Sequence, residues 1–139
     1  MKVVLDTNIW LSGLFWSGEA SKIVELAEKR KIEIVLSKDI ILEIINVLNK
    51  EAKFQKFLEE REQKVQDIIK AVLFIGNLIN TKTKIEVIKE HSADNIILET
   101  ALDGKADYIV SYDKHILSLK EFGKIKIITP KEFLRLVKH

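Results

Sequence analysis

The chain reads as an α/β domain with a three-layer α/β/α arrangement, in which helices cover a central, mainly parallel sheet of about five strands. Short apolar runs alternate along the chain with longer stretches whose apolar residues recur at helical spacing. No repeat, low-complexity tract or linker interrupts this alternation, and Pro130 is the only proline. A length of 139 residues suits one such domain, spanning residues 1–139.

Val3-Val4-Leu5 predicts a strand buried on both faces. The stretch DTNIWLSGLFWSG follows as an irregular or briefly helical segment. Ala20 to Arg30 carries Ile23, Val24, Leu26 and Ala27 at helical spacing, and Ile32 to Leu36 reads as the second strand. Ser37 then caps a helix that runs to about Lys50. Phe54 to Ile79 predicts one long helix or two joined helices, a helical insertion with no strand of its own. Ile85 to Ile88 predicts the third strand, Tyr108 to Ser111 the fourth and Ile125 to Ile128 the fifth. Between the third and fourth lies a helix from Asp94 to Asp103, stopped by Gly104. Thr129-Pro130-Lys131-Glu132 opens the last helix, with Thr as cap, Pro at the first helical position and Glu placed to close a capping box.

Composition narrows the function classes. Hydrophobic residues make up 47% and charged residues 32%, as in a globular soluble domain. No apolar run approaches the roughly 18 residues of a membrane span. The N-terminus MKVVLDTN carries an acid too early for a signal peptide, so a cytoplasmic location is expected. Cysteine is absent, which excludes disulfides and thiolate metal sites. The net charge of +2 is too mild to diagnose nucleic-acid binding, and it is compatible with an acidic cleft inside a mildly basic surface.

The acids carry the chemistry. Ile97, Leu98, Ala101 and Leu102 define the apolar face of their helix. At about 100° per residue, Asp94 falls near the middle of that face, in the first turn. In a parallel α/β sheet, ligands bind at the carboxyl ends of the strands. Asp6 follows the first strand, Asp113 comes just after the fourth, and Glu43 lies about two turns into the helix after the second. Glu43 borders the arc of Ile40, Ile41, Ile44, Val47 and Leu48, whereas Asp39 is rotated toward the polar side. Four acids from remote segments are therefore directed to one edge.

A first-turn acid gains only about 0.3–1 kcal/mol from the helix dipole. Breaking a buried ion pair costs on the order of 3–5 kcal/mol. The dipole alone does not hold Asp94 on an apolar face, and Arg30, Arg61 and Arg135 are badly placed to help. A divalent cation is the economical counter-charge. With no Cys and three His, its ligands are hard oxygens, which favours Mg²⁺ or Mn²⁺ over Zn²⁺.

These residues resemble the PIN-domain family of metal-dependent ribonucleases, and within it the toxin-like prokaryotic branch. VVLDTNI resembles the opening strand with its first catalytic Asp, at Asp6. SKDIILEIINVL resembles the second motif, whose Glu falls on Glu43, and ADNIILETALDGKADYIVSYDKHIL resembles the third and fourth, at Asp94 and Asp113. Asn8 and Ser111 fall where the family places supporting groups. Members often carry further acids where this chain has His91 and His115. The resemblance implies an endoribonuclease that uses one or two Mg²⁺ or Mn²⁺ ions held by Asp6, Asp94, Asp113 and Glu43. It also implies a type II toxin neutralised by a cognate antitoxin protein, and a homodimer. The alternative is a degenerate PIN module that binds RNA or protein without cutting. A phosphatase with Asp6 as nucleophile fits less well, because Asp6-Thr7-Asn8 lacks the second acid such sites use.

Overall fold

A computed structural model describes residues 1–85 and 92–137. The elements in chain order are β1 (Lys2–Leu5), α1 (Thr7–Phe15), α2 (Glu19–Glu28), β2 (Glu33–Ser37), α3 (Lys38–Lys50), α4 (Ala52–Glu60), α5 (Val65–Ile75) and β3 (Asn77–Ile79). They continue with α6 (Ser92–Asp103), β4 (Tyr108–Val110), α7 (Lys114–Leu117), β5 (Glu121–Phe122), β6 (Ile125–Ile128) and α8 (Pro130–Leu136). The strands form one six-stranded sheet in the order β3-β2-β1-β4-β6-β5. Every pairing is parallel except that of the two-residue β5 with β6. The α/β class with a mainly parallel sheet is as the alternation predicts.

The local signals explain most boundaries. Val3, Val4 and Leu5 are completely buried, as an uninterrupted apolar strand at the sheet centre requires. Ser37 caps α3 by accepting a hydrogen bond from the Ile40 N–H at 3.3 Å. At α8 the capping box closes in both directions: Glu132 N–H donates to Thr129 Oγ1 and Thr129 N–H donates to Glu132 Oε1.

The third strand departs from expectation. It lies at Asn77–Ile79, inside the segment read as helical. The expected strand at Ile85–Ile88 falls outside the described residues except for Ile85, which is in no strand. The helical segment itself divides into α4 and α5, where Glu62 takes a positive φ of 54° after the last turn of α4. The short hairpin strand β5 also carries no apolar run that would announce it.

Strand order positions the site. From β1 the chain steps outward through β2 and β3 on one side, and through β4 and β6 on the other. The order reverses between β1 and β4, and it is at such a reversal, at the carboxyl ends of the strands, that parallel α/β sheets bind ligands. Helix α6 packs against β1 and β4, the strands that flank this reversal, and against β2.

Candidate metal centre

Leu5 of β1 pairs with Val110 of β4, so the residues that follow them, Asp6 and Ser111, stand side by side at the switch point. Asp6 N–H donates to the Val110 carbonyl at 3.0 Å, and Ser111 N–H donates to the Ile128 carbonyl at 3.1 Å. The backbone at this edge is thereby fixed before any side chain is placed.

Ser111 is completely buried and ties two acids together. Its hydroxyl donates to Asp6 Oδ2 at 2.7 Å and accepts from the Asp113 N–H at 2.9 Å. Asp6 Oδ1 also accepts from the Thr7 N–H at 2.7 Å, capping α1, while Asp113 Oδ1 accepts from the His115 N–H at 2.9 Å, capping α7. Capping and clustering are thus not alternatives: a carboxylate has two oxygens and about four acceptor sites.

Asp94 reaches the same place from α6. It is buried at 5% exposure, on the side that carries Ile97, Leu98 and Ala101. Leu102, expected on that face, is instead 44% exposed. One carboxylate oxygen from each of Asp6, Asp94 and Asp113 lies within 4.8 Å of the others. Burial pushes the Asp6 carboxyl above its ordinary range. The hydrogen bonds from Ser111 and Thr7 oppose that rise, and the nearby Asp113 charge adds to it.

The remaining candidates stand further out. Glu43 is half-buried on α3, beside the fully buried Ile40 and Ile44, and it is not one of the three converging carboxylates. Asp39 lies 3.9 Å from Lys84. Asn8 is exposed in the first turn of α1, and Lys38, Lys114 and His115 are exposed as well. His91 and His139 fall outside the described residues.

Sequence reasoning missed that α6 buries polar groups beyond Asp94. Asn95, Glu99 and Thr100 are all buried. Thr100 Oγ1 lies 2.8 Å from both Ser37 Oγ and the Ile96 carbonyl, and Glu99 Oε2 accepts from the Ile85 N–H at 2.9 Å. These partners come from distant segments, so no local spacing announces them.

The donor set suits a hard divalent cation. Three carboxylates offer oxygens within reach of one ion, and among the described residues neither Asp6 nor Asp113 enters an ion pair. Like charges brought this close at buried and half-buried positions gain from a positive centre between them.

A family model described as "PIN domain" matches residues 2–115. Among solved structures, the chain is similar to the crystal structure of VapBC2 from Rickettsia felis bound to a DNA fragment from their promoter, with a TM-score of 0.63 and 17% identity. That match covers 93% of this chain and 98% of the other, and at this identity it speaks to the fold. No curated protein matches the chain.

Proposed function

Because the chain belongs to the PIN-domain family, we propose that it is a divalent-metal-dependent endoribonuclease that hydrolyses RNA phosphodiester bonds. The observation that carries this reading is the convergence of Asp6, Asp94 and Asp113 at the point where the strand order reverses. These three acids would hold Mg²⁺ or Mn²⁺. Such an ion, when bound, makes water a better nucleophile at neutral pH and offsets charge on the scissile phosphate.

The chain's own groups divide the remaining work. Ser111 and the Thr7 N–H hold the Asp6 carboxylate in one orientation, and Ser111 sets Asp113 beside it. Glu43 orients the attacking water or assists in holding the ion. Asn8, Lys38 and Lys114, all exposed, contact the phosphates and position the strand without reading its sequence. No covalent nucleophile is needed.

We further assign the chain to the toxin side of a toxin–antitoxin pair, as a cytoplasmic homodimer restrained by an antitoxin protein. The likeness to a VapBC2 structure supports this assignment. Among the described residues, no helix is long and apolar enough to cross a membrane. A non-cleaving RNA- or protein-binding module remains the second reading, favoured by the position of Glu43 outside the carboxylate group.

The test is RNA cleavage in Mg²⁺, in Mn²⁺ and in chelator. Wild type is expected to cut only with metal, and Asp94→Asn to lose more than about a hundredfold in rate, as loss of a group that stabilises developing charge does. Metal-independent cleavage, or cleavage undiminished by Asp94→Asn, overturns the nuclease reading. Metal-dependent RNA binding without cleavage establishes the second reading instead.

A further inference from the structure

Apolar packing holds α6 on the sheet, but it does not by itself set where the helix sits along its axis, because the hydrophobic effect has no direction. Directed polar contacts set that position. Glu99 and Asp103 grip the segment that precedes the helix, through the N–H groups of Ile85, Thr83 and Lys82. Thr100 reaches the other way, to the sheet. It is completely buried, as is Ser37, the last residue of β2, and their Oγ atoms lie 2.8 Å apart.

Each hydroxyl carries one proton and accepts through its lone pairs. The Ile96 carbonyl, 2.8 Å from Thr100 Oγ1, can only accept, so Thr100 donates to it. Ser37 therefore donates to Thr100, while its own oxygen accepts from the Ile40 N–H. A continuous chain of hydrogen bonds thus runs from the first turn of α3 to the α6 backbone two residues after Asp94. Ser37 is also placed relative to Asp6. Lys2 of β1 pairs with Glu33 of β2, so Asp6 and Ser37, each four residues further on, stand level at the carboxyl ends of neighbouring strands.

We propose that Thr100, through Ser37, is a positioning residue for Asp94. This rests on the reading of the three acids as a metal centre. In metal-free protein those carboxylates repel one another, and the push acts on α6, because Asp94 belongs to it while Asp6 and Asp113 follow β1 and β4. Thr100 lies six residues beyond Asp94, about 9 Å along the helix axis. The hydroxyl pair, shut away from water, holds the helix against that push, since separating the partners leaves a buried donor unsatisfied. Asp94 is thereby kept within reach of Asp6 and Asp113 before an ion binds, and binding need not draw the helix into place.

The experiment titrates Mn²⁺ into the protein without RNA and reads the free ion by its paramagnetic resonance signal. Wild type is compared with Thr100→Val, Thr100→Ser, Ser37→Gly and the double variant Ser37→Gly/Thr100→Val; glycine is chosen because a helix N-cap tolerates it. Thr100→Val is expected to raise the Mn²⁺ dissociation constant about two- to thirtyfold, as residues coupled to a site without touching its ligand do. Thr100→Ser should restore the wild-type value, and Ser37→Gly should match Thr100→Val. The double variant should bind no more weakly than either single one, because both remove the same link. Thermal melting in chelator establishes that each variant is folded at the titration temperature, and if one single variant is not, the other carries the test from its own side of the link. A variant that melts lower yet binds Mn²⁺ as wild type does marks the pair as structural only and overturns the proposal. So do losses that multiply in the double variant, or a Thr100→Ser that stays weak. All of these leave the metal centre standing. A wild type that binds no Mn²⁺ overturns the metal centre and the proposal together.

Discussion

Asp6 and Asp103 are both carboxylates held by hydrogen bonds, yet their affinities for a proton move in opposite directions. Asp103 closes the last turn of α6 at the surface. It accepts from the Thr83 hydroxyl at 2.6 Å and from the N–H groups of Thr83 at 2.9 Å and Lys82 at 2.7 Å. Those donors hold its carboxyl below the usual range, the Thr83 side chain contributing most. Asp6 has two donors but is largely buried beside another acid, and burial outweighs them. One end of the molecule is therefore a joint satisfied by its own donors. The other gathers acids whose burial and mutual charge oppose their ionisation. The difference lies in solvent and neighbours rather than in residue type.

The largest effect that would sharpen this contrast comes from Ser111→Ala. The substitution removes the hydroxyl shared by Asp6 and Asp113, in a position with no access to replacement water. Loss of a group that orients metal ligands costs roughly 10–100-fold in metal affinity or activity. Metal titration of cleavage should show the midpoint moving up by that factor, with saturating metal recovering part of the rate. An unmoved midpoint would mean that the acids hold their own orientation, and the edge would then resemble the Asp103 joint.

Next in size is Gly104→Ala, beside Asp103. A Cβ at this position would lie 2.4 Å from Val35 Cγ1 and 2.9 Å from the Thr100 carbonyl oxygen. Val35 is a buried residue of β2, so the clash forces a shift in packed structure that costs about 1–3 kcal/mol. Thermal unfolding should fall by several degrees, while metal affinity per folded molecule stays as in wild type. A stability-neutral Gly104→Ala would show that this joint yields, and the division between a rigid end and a functional end would fail.

How much of this was legible in the sequence follows the same division. Helical period alone turns Asp94 toward the core, and strand-end position alone brings Asp6 and Asp113 to one edge. Spacing fixes an angle around a helix, not a distance across the fold. That is why Glu43 could be oriented from sequence but not located relative to the three acids. Strand β3 was illegible because Asn77 and Leu78 are exposed and the strand is defined by its pairing with β2, a contact local pattern does not encode.

The smallest effect is also the most direct test of the comparison, because it turns on sign. In metal-free protein, burial raises the folded pKa of Asp6 above its ordinary value. Its contribution to stability is fully present below the unfolded value and is lost as pH rises through the raised one. Asp103 has a folded pKa lowered below its ordinary value, so its contribution is present above the unfolded value and is lost as pH falls through the lowered one. Denaturant unfolding in chelator should therefore separate two variants. Asp6→Asn should match wild type in acid and exceed it near neutrality, by about 1 kcal/mol, the usual gain when a functional-site strain is relieved. Asp103→Asn should fall below wild type near neutrality and converge with it in acid, by less than about 1 kcal/mol, since solvent screens its surface partners. Added Mg²⁺ or Mn²⁺ should then reverse the first sign, because binding to the folded wild type stabilises it and Asp6→Asn forfeits that gain. Two variants that drift the same way with pH would mean that burial beside Asp113 does not set Asp6 apart, and the distinction between the two ends would not hold.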